Sequence, residues 1–203
     1  MQGGEHLHTC QPVTFKTSKL ACNLSINIVS LQNAYARPLL RSPRILDIGG
    51  CMDIINSYPQ FVFETGEAHI WLPLDKIVLY NPKGLDTNLG RLSLLHEICH
   101  GLLEHRFYTF DAELYSMEQD AWIEAIELAP SFQIKPDYSH IDKCLATYEN
   151  WLEQRATCPN CSSFGIQRAR NRFSCVQCGE HWKTNDRKSA RVQRHRLDLA
   201  SIT

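Results

Sequence analysis

Two cysteine pairs near the C-terminus constrain this chain more than any other feature. Cys158-Pro159-Asn160-Cys161 and Cys175-Val176-Gln177-Cys178 are CxxC knuckles with thirteen residues between them. A knuckle bends the backbone so that two thiolates reach one ion, and two knuckles make a closed, tetrahedral four-sulfur site. A segment of about 30 residues cannot bury enough apolar surface to hold itself together, so metal binding supplies most of its folding free energy. The spacing therefore predicts a four-cysteine zinc ribbon over 156–184, with Cys158, Cys161, Cys175 and Cys178 holding a structural zinc ion. Cys10, Cys22, Cys51, Cys99 and Cys144 lack ligand-like spacing, and Cys99 reads as small core packing. Nine cysteines in all, behind a start (MQGGEHLHTC) without a basic segment and apolar run, point to a reducing, cytoplasmic setting rather than a disulfide framework.

Charge divides the chain at the same place. Residues 1–154 carry 11 Lys+Arg against 19 Asp+Glu, whereas residues 155–203 carry 10 against 3. The net charge of −1 thus hides an acidic body and a basic C-terminal part. The resulting division is a flexible N-terminus at 1–11, a main domain at 12–155, the ribbon at 156–184 and a basic tail at 185–203. No run of 18 apolar residues occurs, so no membrane span is expected.

Periodicity predicts an α+β main domain, mainly helical with a small sheet. Leu20, Leu24, Ile28, Leu31 and Tyr35 recur at helical spacing between Val13 and Leu40, ahead of Pro43. Segments 44–48, 60–64, 68–72 and 76–80 read as strands, and Thr65-Gly66-Glu67 suggests that 60–64 and 68–72 form a hairpin. Strand 76–80 is the expected dock for an extended substrate. Helical spacing then runs over 88–106, 111–129 and 137–155, the first opening near Asp86-Thr87-Asn88 and the second closing before Pro130.

The helix at 88–106 carries His96-Glu97-Ile98-Cys99-His100, an H-E-x-x-H pattern. Residues i and i+4 lie one above the other on a helix, so His96 and His100 can present two imidazole nitrogens to one Zn²⁺. Glu97 is rotated by about 100°, from where it reaches a metal-bound water rather than the metal and can act as general base. A catalytic zinc needs a third protein ligand. His105 is rotated some 140° from the ligand face. On the next helix, Glu118 heads a stripe with Ala121 and Ala125 at +3 and +7, which allows close approach of the two helices. Glu118 is therefore favoured, with Asp120, which shares a face with Glu124 and Glu127, as the second candidate.

HEICHGLLEH followed by MEQDAWIEAIELAP resembles the ImmA/IrrE family of zinc metallopeptidases, over roughly residues 25–135. The resemblance implies a compact zincin-like core, His96, His100 and Glu118 as ligands of a catalytic, gluzincin-like zinc, and Glu97 as catalytic acid/base. It also implies a protein or peptide substrate, transcriptional repressors being frequent targets in that family. Glu124 stands where the family usually has an aromatic residue. Two zinc ions per chain are expected, one catalytic and one structural.

Arg168, Arg170, Arg172, Lys183, Arg187 and Lys188, interleaved with Phe164, Phe173 and Trp182, suit contact with nucleic acid or an acidic protein surface. A solvated basic tail is the alternative. Two rival functions accompany the peptidase reading. One is a protease similar to the SprT group, which pairs H-E-x-x-H with a zinc ribbon and acts on DNA-bound proteins. The other is a non-catalytic, zinc-containing regulator that binds DNA or a partner protein.

Overall fold

A computed structural model describes residues 51–186, 188 and 190–197. The flexible terminus at 1–11, the helix between Val13 and Leu40, the strand at 44–48 and Arg187 lie outside the described residues. Within them the chain is mixed α/β, with four α-helices and two small sheets. No helix among the described residues is long and apolar enough to cross a membrane.

Helix α1 (Cys51–Asn56) precedes a three-stranded sheet of β1 (Val62–Thr65), β2 (Ile70–Leu72) and β3 (Ile77–Tyr80). The strand order is β1-β3-β2, with β1 parallel and β2 antiparallel to β3. The hairpin expected around Thr65-Gly66-Glu67 does not form, because β3 inserts between the two strands. The residues 66–69 instead cross the end of β3, tied there by Gly66 N–H to the Tyr80 carbonyl at 2.8 Å and Asn81 Nδ2 to the Glu67 carbonyl at 2.9 Å. The true hairpin joins β2 to β3 through Pro73–Lys76, where Lys76 takes a left-handed φ of 54°. Burial explains the order. Strand β3 is the apolar run IVLY with Val78 fully buried, and β1 is largely exposed. An apolar strand gains more from the centre, a half-polar one loses less at the edge. Strand 76–80 is therefore paired on both sides, and it cannot accept a substrate strand.

Helix α2 (Asn88–Leu102) starts at Thr87, whose Oγ1 accepts from Gly90 N–H at 2.9 Å and donates to the Gly84 carbonyl at 2.8 Å. Gly90 is required there, since a Cβ would collide with the Gly84 carbonyl. Helix α3 (Asp111–Leu128) is opened by Glu113, whose Oε2 accepts from Thr109 N–H and Phe110 N–H at 2.7 and 3.1 Å. Fully buried Ala121 and Ala125 let α3 lie close against α2, as the small-residue stripe predicts. Helix α4 (Tyr138–Ala156), capped by Asp137, completes the layer over a core that includes Leu92, Leu95, Ile98, Trp122 and Ile141.

The second sheet is antiparallel in the order β4-β5-β6-β7: Gly165–Ala169, Arg172–Cys175, His181–Thr184 and Arg194–Arg196. Strand β7 comes from the stretch expected to be a basic tail and pairs with β6. On the inner face Phe173 and Trp182 stack at 5.6 Å, and their cluster includes Cys158 and Cys175. This face rests on the last turn of α4, where Trp182 Nε1 donates to the Arg155 carbonyl at 2.9 Å. Arg155 itself is fully buried and grips Asp111 at the start of α3, at 2.7 and 3.0 Å.

Candidate metal centres

The close α2–α3 contact carries the first site. His96 Nε2 and His100 Nε2 lie 3.1 Å apart, Glu118 Oε2 is 3.3 Å from the former, and Glu118 Oε1 is 3.7 Å from the latter. The donor atoms of all three lie within 4.8 Å of one another. Ligands about 2.0–2.1 Å from a tetrahedral ion are separated by roughly 3.3 Å, so these residues fit one. Exposure is 1% for each histidine and 0% for Glu118. A buried carboxylate facing two imidazoles is costly unless a cation compensates it, which again fits a metal. Asp120 is half-exposed and lies outside the trio.

Glu97 is equally buried, at 2% exposure, but stands outside the ligand set. Its Oε2 accepts from Trp71 N–H at 2.9 Å. Burial, reinforced by the nearby Glu118 charge, raises its pKa well above the ordinary carboxylate value, and the Trp71 bond opposes the rise. Among the described residues β2 is an edge strand, which leaves that N–H available: Trp71 lies opposite Val78 of β3 yet donates to Glu97. A groove of about 190 Å³ adjoins this edge, lined by Phe61, Trp71, Pro73, Gly101 and Leu102 among others.

Two neighbours orient the imidazoles. His100 Nδ1 and His105 Nδ1 are 2.9 Å apart, a hydrogen bond that leaves His100 Nε2 facing Glu118. Helix α2 stops at Leu102, not at 106, because Glu104 turns left-handed at φ 54° and His105 N–H bonds back to the His100 carbonyl at 2.9 Å. The 140° offset of an unbroken helix no longer applies, so His105 returns to the site as a supporting residue. Its carbonyl also accepts from Trp71 Nε1 at 2.9 Å. His96 stacks on Trp122, with ring centroids 3.9 Å apart. Trp122 meets His140 edge-on at 5.9 Å, and His140 Nε2 contacts Cys144 Sγ at 3.4 Å, a contact that raises the His140 pKa.

The second site gathers Cys158, Cys161, Cys175 and Cys178, again within 4.8 Å. Sulfur separations are 3.6 Å for Cys158–Cys178 and 3.5 Å for Cys161–Cys175. Thiolates about 2.3 Å from a tetrahedral ion are roughly 3.8 Å apart, so this set fits too. Hydrogen bonds from Ser163 draw the Cys161 thiol down to about 6, while burial pushes the Cys175 thiol up to about 11.

The basic residues separate. Arg170 pairs with Asp186 at 3.6 Å and approaches the Tyr108 ring, and Lys188 Nζ sits 3.0 Å from the Tyr148 ring centroid. Arg168, Arg172 and Lys183 remain exposed on the ribbon sheet. Searches against family models, curated proteins and solved structures return no match to the chain.

Proposed function

We propose that this chain is a cytoplasmic zinc metallopeptidase similar to the ImmA/IrrE family, hydrolysing peptide bonds in a protein substrate. The observation that carries this reading is the separation of roles around α2. His96, His100 and Glu118 form a three-donor set, while Glu97, one residue away, is held apart by Trp71 N–H. A site meant only to bind metal has no use for a second buried carboxylate kept off the ligand set.

His96, His100 and Glu118 would hold the catalytic zinc, and the four cysteines a structural one. Bound zinc supplies a Lewis acid and makes water acidic enough to attack near neutral pH. Glu97 takes a proton from the attacking water on a carboxylate oxygen and returns it to the leaving amine nitrogen. The outer edge of β2, a sheet edge among the described residues, replaces strand 76–80 as the dock for an extended substrate: it passes beside Glu97, which holds its Trp71 N–H, and would bind through its remaining backbone groups.

Glu97→Gln tests the reading. The variant should keep its fold and both metal equivalents by elemental analysis, because the change is isosteric and spares the ligands. Cleavage of a quenched-fluorescent peptide library should fall by about 10²–10⁴. Unchanged cleavage would remove Glu97 as the general base, whereas a wild-type protein with full metal content and no cleavage would favour the non-catalytic regulator.

A further inference from the structure

The ribbon sheet has two unlike faces. Side chains alternate along each strand and residues directly opposite one another share a face. Phe173 and Trp182, paired across β5 and β6, define the inner face. Gly165 belongs to that side, since a Cβ there would strike Trp182. The neighbours Phe164 and Ile166 therefore point outward, at 57% and 48% exposure. Arg168 joins them, reaching across to Ser174 Oγ at 2.7 Å. Arg172, Lys183 and His195 form one cross-strand row on the same outer face, and all three are exposed.

Among the described residues, no acidic side chain belongs to that face. Between 156 and 197 the sequence has only Glu180 and Asp186. Both are engaged elsewhere, Glu180 with Arg196, which lies opposite Trp182, and Asp186 with Arg170, which approaches the Tyr108 ring of the main domain. Among the described residues the outer face thus carries Arg168, Arg172 and Lys183 across three strands, a span of about 10 Å, with no acidic side chain, and the exposed Phe164 ring lies just before β4.

We propose that this face binds single-stranded nucleic acid, with Arg168, Arg172 and Lys183 on phosphates and Phe164 stacking on a base. The row supplies the phosphate neutralisation that dominates such affinity. Phe164 offers the planar partner on which unpaired bases stack, a contact that an acidic side chain does not make. A duplex hides its bases and is read by an element that enters a groove, which the face of a sheet suits poorly. The proposal is independent of the peptidase reading, and its test measures binding rather than hydrolysis.

Fluorescence anisotropy of the zinc-loaded full chain with a labelled 15-nucleotide oligo-dT provides the test. Three phosphate contacts give a slope of log affinity against log salt of about −2. The Arg168→Gln/Arg172→Gln/Lys183→Gln variant should flatten that slope towards zero, and Lys135→Gln on the main domain should leave it unchanged. Phe164→Ala should weaken binding by about tenfold with the slope preserved. Circular dichroism and zinc content should match wild type in every variant. Equal binding by the triple variant, no loss with Phe164→Ala, tighter binding of a 15-base-pair duplex, or equal competition by poly-glutamate of matched charge would each overturn the proposal.

Discussion

Replacing Arg155 by Met tests what joins the ribbon to the main domain. The guanidinium is fully buried. It makes two bonds to Asp111, one to Asn171 Oδ1 at 2.7 Å and one to the Asn185 carbonyl, and it lies 4.3 Å over the Trp151 ring. Its partners thus come from the start of α3, from the β4–β5 turn and from the chain beyond β6. Met keeps much of the apolar stem and removes the charge. Deleting one partner of a buried ion pair costs about 3–5 kcal/mol, mostly because the other charge stays buried and uncompensated. Asp111 retains some help. It sits at the N-terminus of α3, where the helix field is worth roughly 0.3–1 kcal/mol to an anion, and Gln167 Nε2 lies 3.3 Å from its Oδ1. The loss should therefore fall at the lower end, near ~3 kcal/mol.

For a chain of this size each kcal/mol lowers Tm by roughly 2–4 °C, so Arg155→Met should melt about 6–12 °C below wild type. Urea unfolding followed by tryptophan fluorescence reads the same loss, since Trp151 and Trp182 both adjoin Arg155. A double-mutant cycle separates pairing from packing. Asp111→Ala should cost about as much alone, yet the double variant should cost little more than either single change, because no orphaned charge is then left. A loss under about 1 kcal/mol for Arg155→Met, or additive losses in the cycle, would refute the view that this pair bridges the two parts.

The first metal site yields two further predictions. Glu118→Gln should weaken zinc binding there while Asp120→Asn leaves it intact, as measured by competition with a chromophoric chelator; the reverse order would move the third ligand to Asp120. His105→Phe should lower affinity at the same site by about 10–100-fold, the usual cost of losing a hydrogen bond to a ligating histidine. Unaltered affinity in His105→Phe would reduce the His100–His105 contact to mere proximity.

How much of this could be read from the sequence depends on how local the determining physics is. The i, i+4 histidines, the Ala121/Ala125 stripe below Glu118 and the paired CxxC knuckles are each set within a few residues, and the structure brings each set together. The sheet order was not legible. Whether residues 66–69 turn back or cross over depends on which strand claims the centre, a competition between β1 and β3 that no local turn signal records. His105 escaped for a related reason: helical periodicity carries through Leu102 and Leu103, and only a left-handed Glu104, with no glycine to announce it, breaks the helix. Arg155 shows the same dependence on distant partners. As the first residue of the basic part it marks a boundary in charge, and nothing local in the sequence announces its burial. Burying a guanidinium is tolerable only when its donors are met together, and here those acceptors come from Asp111, Asn171 and Asn185, up to 44 residues away. A break in composition therefore coincides with a join in packing. The cationic face proposed to hold nucleic acid sits on the outer side of the same sheet whose inner side is anchored through Arg155. Occupancy of that outer face would keep whatever is bound on the molecule that carries the candidate active site.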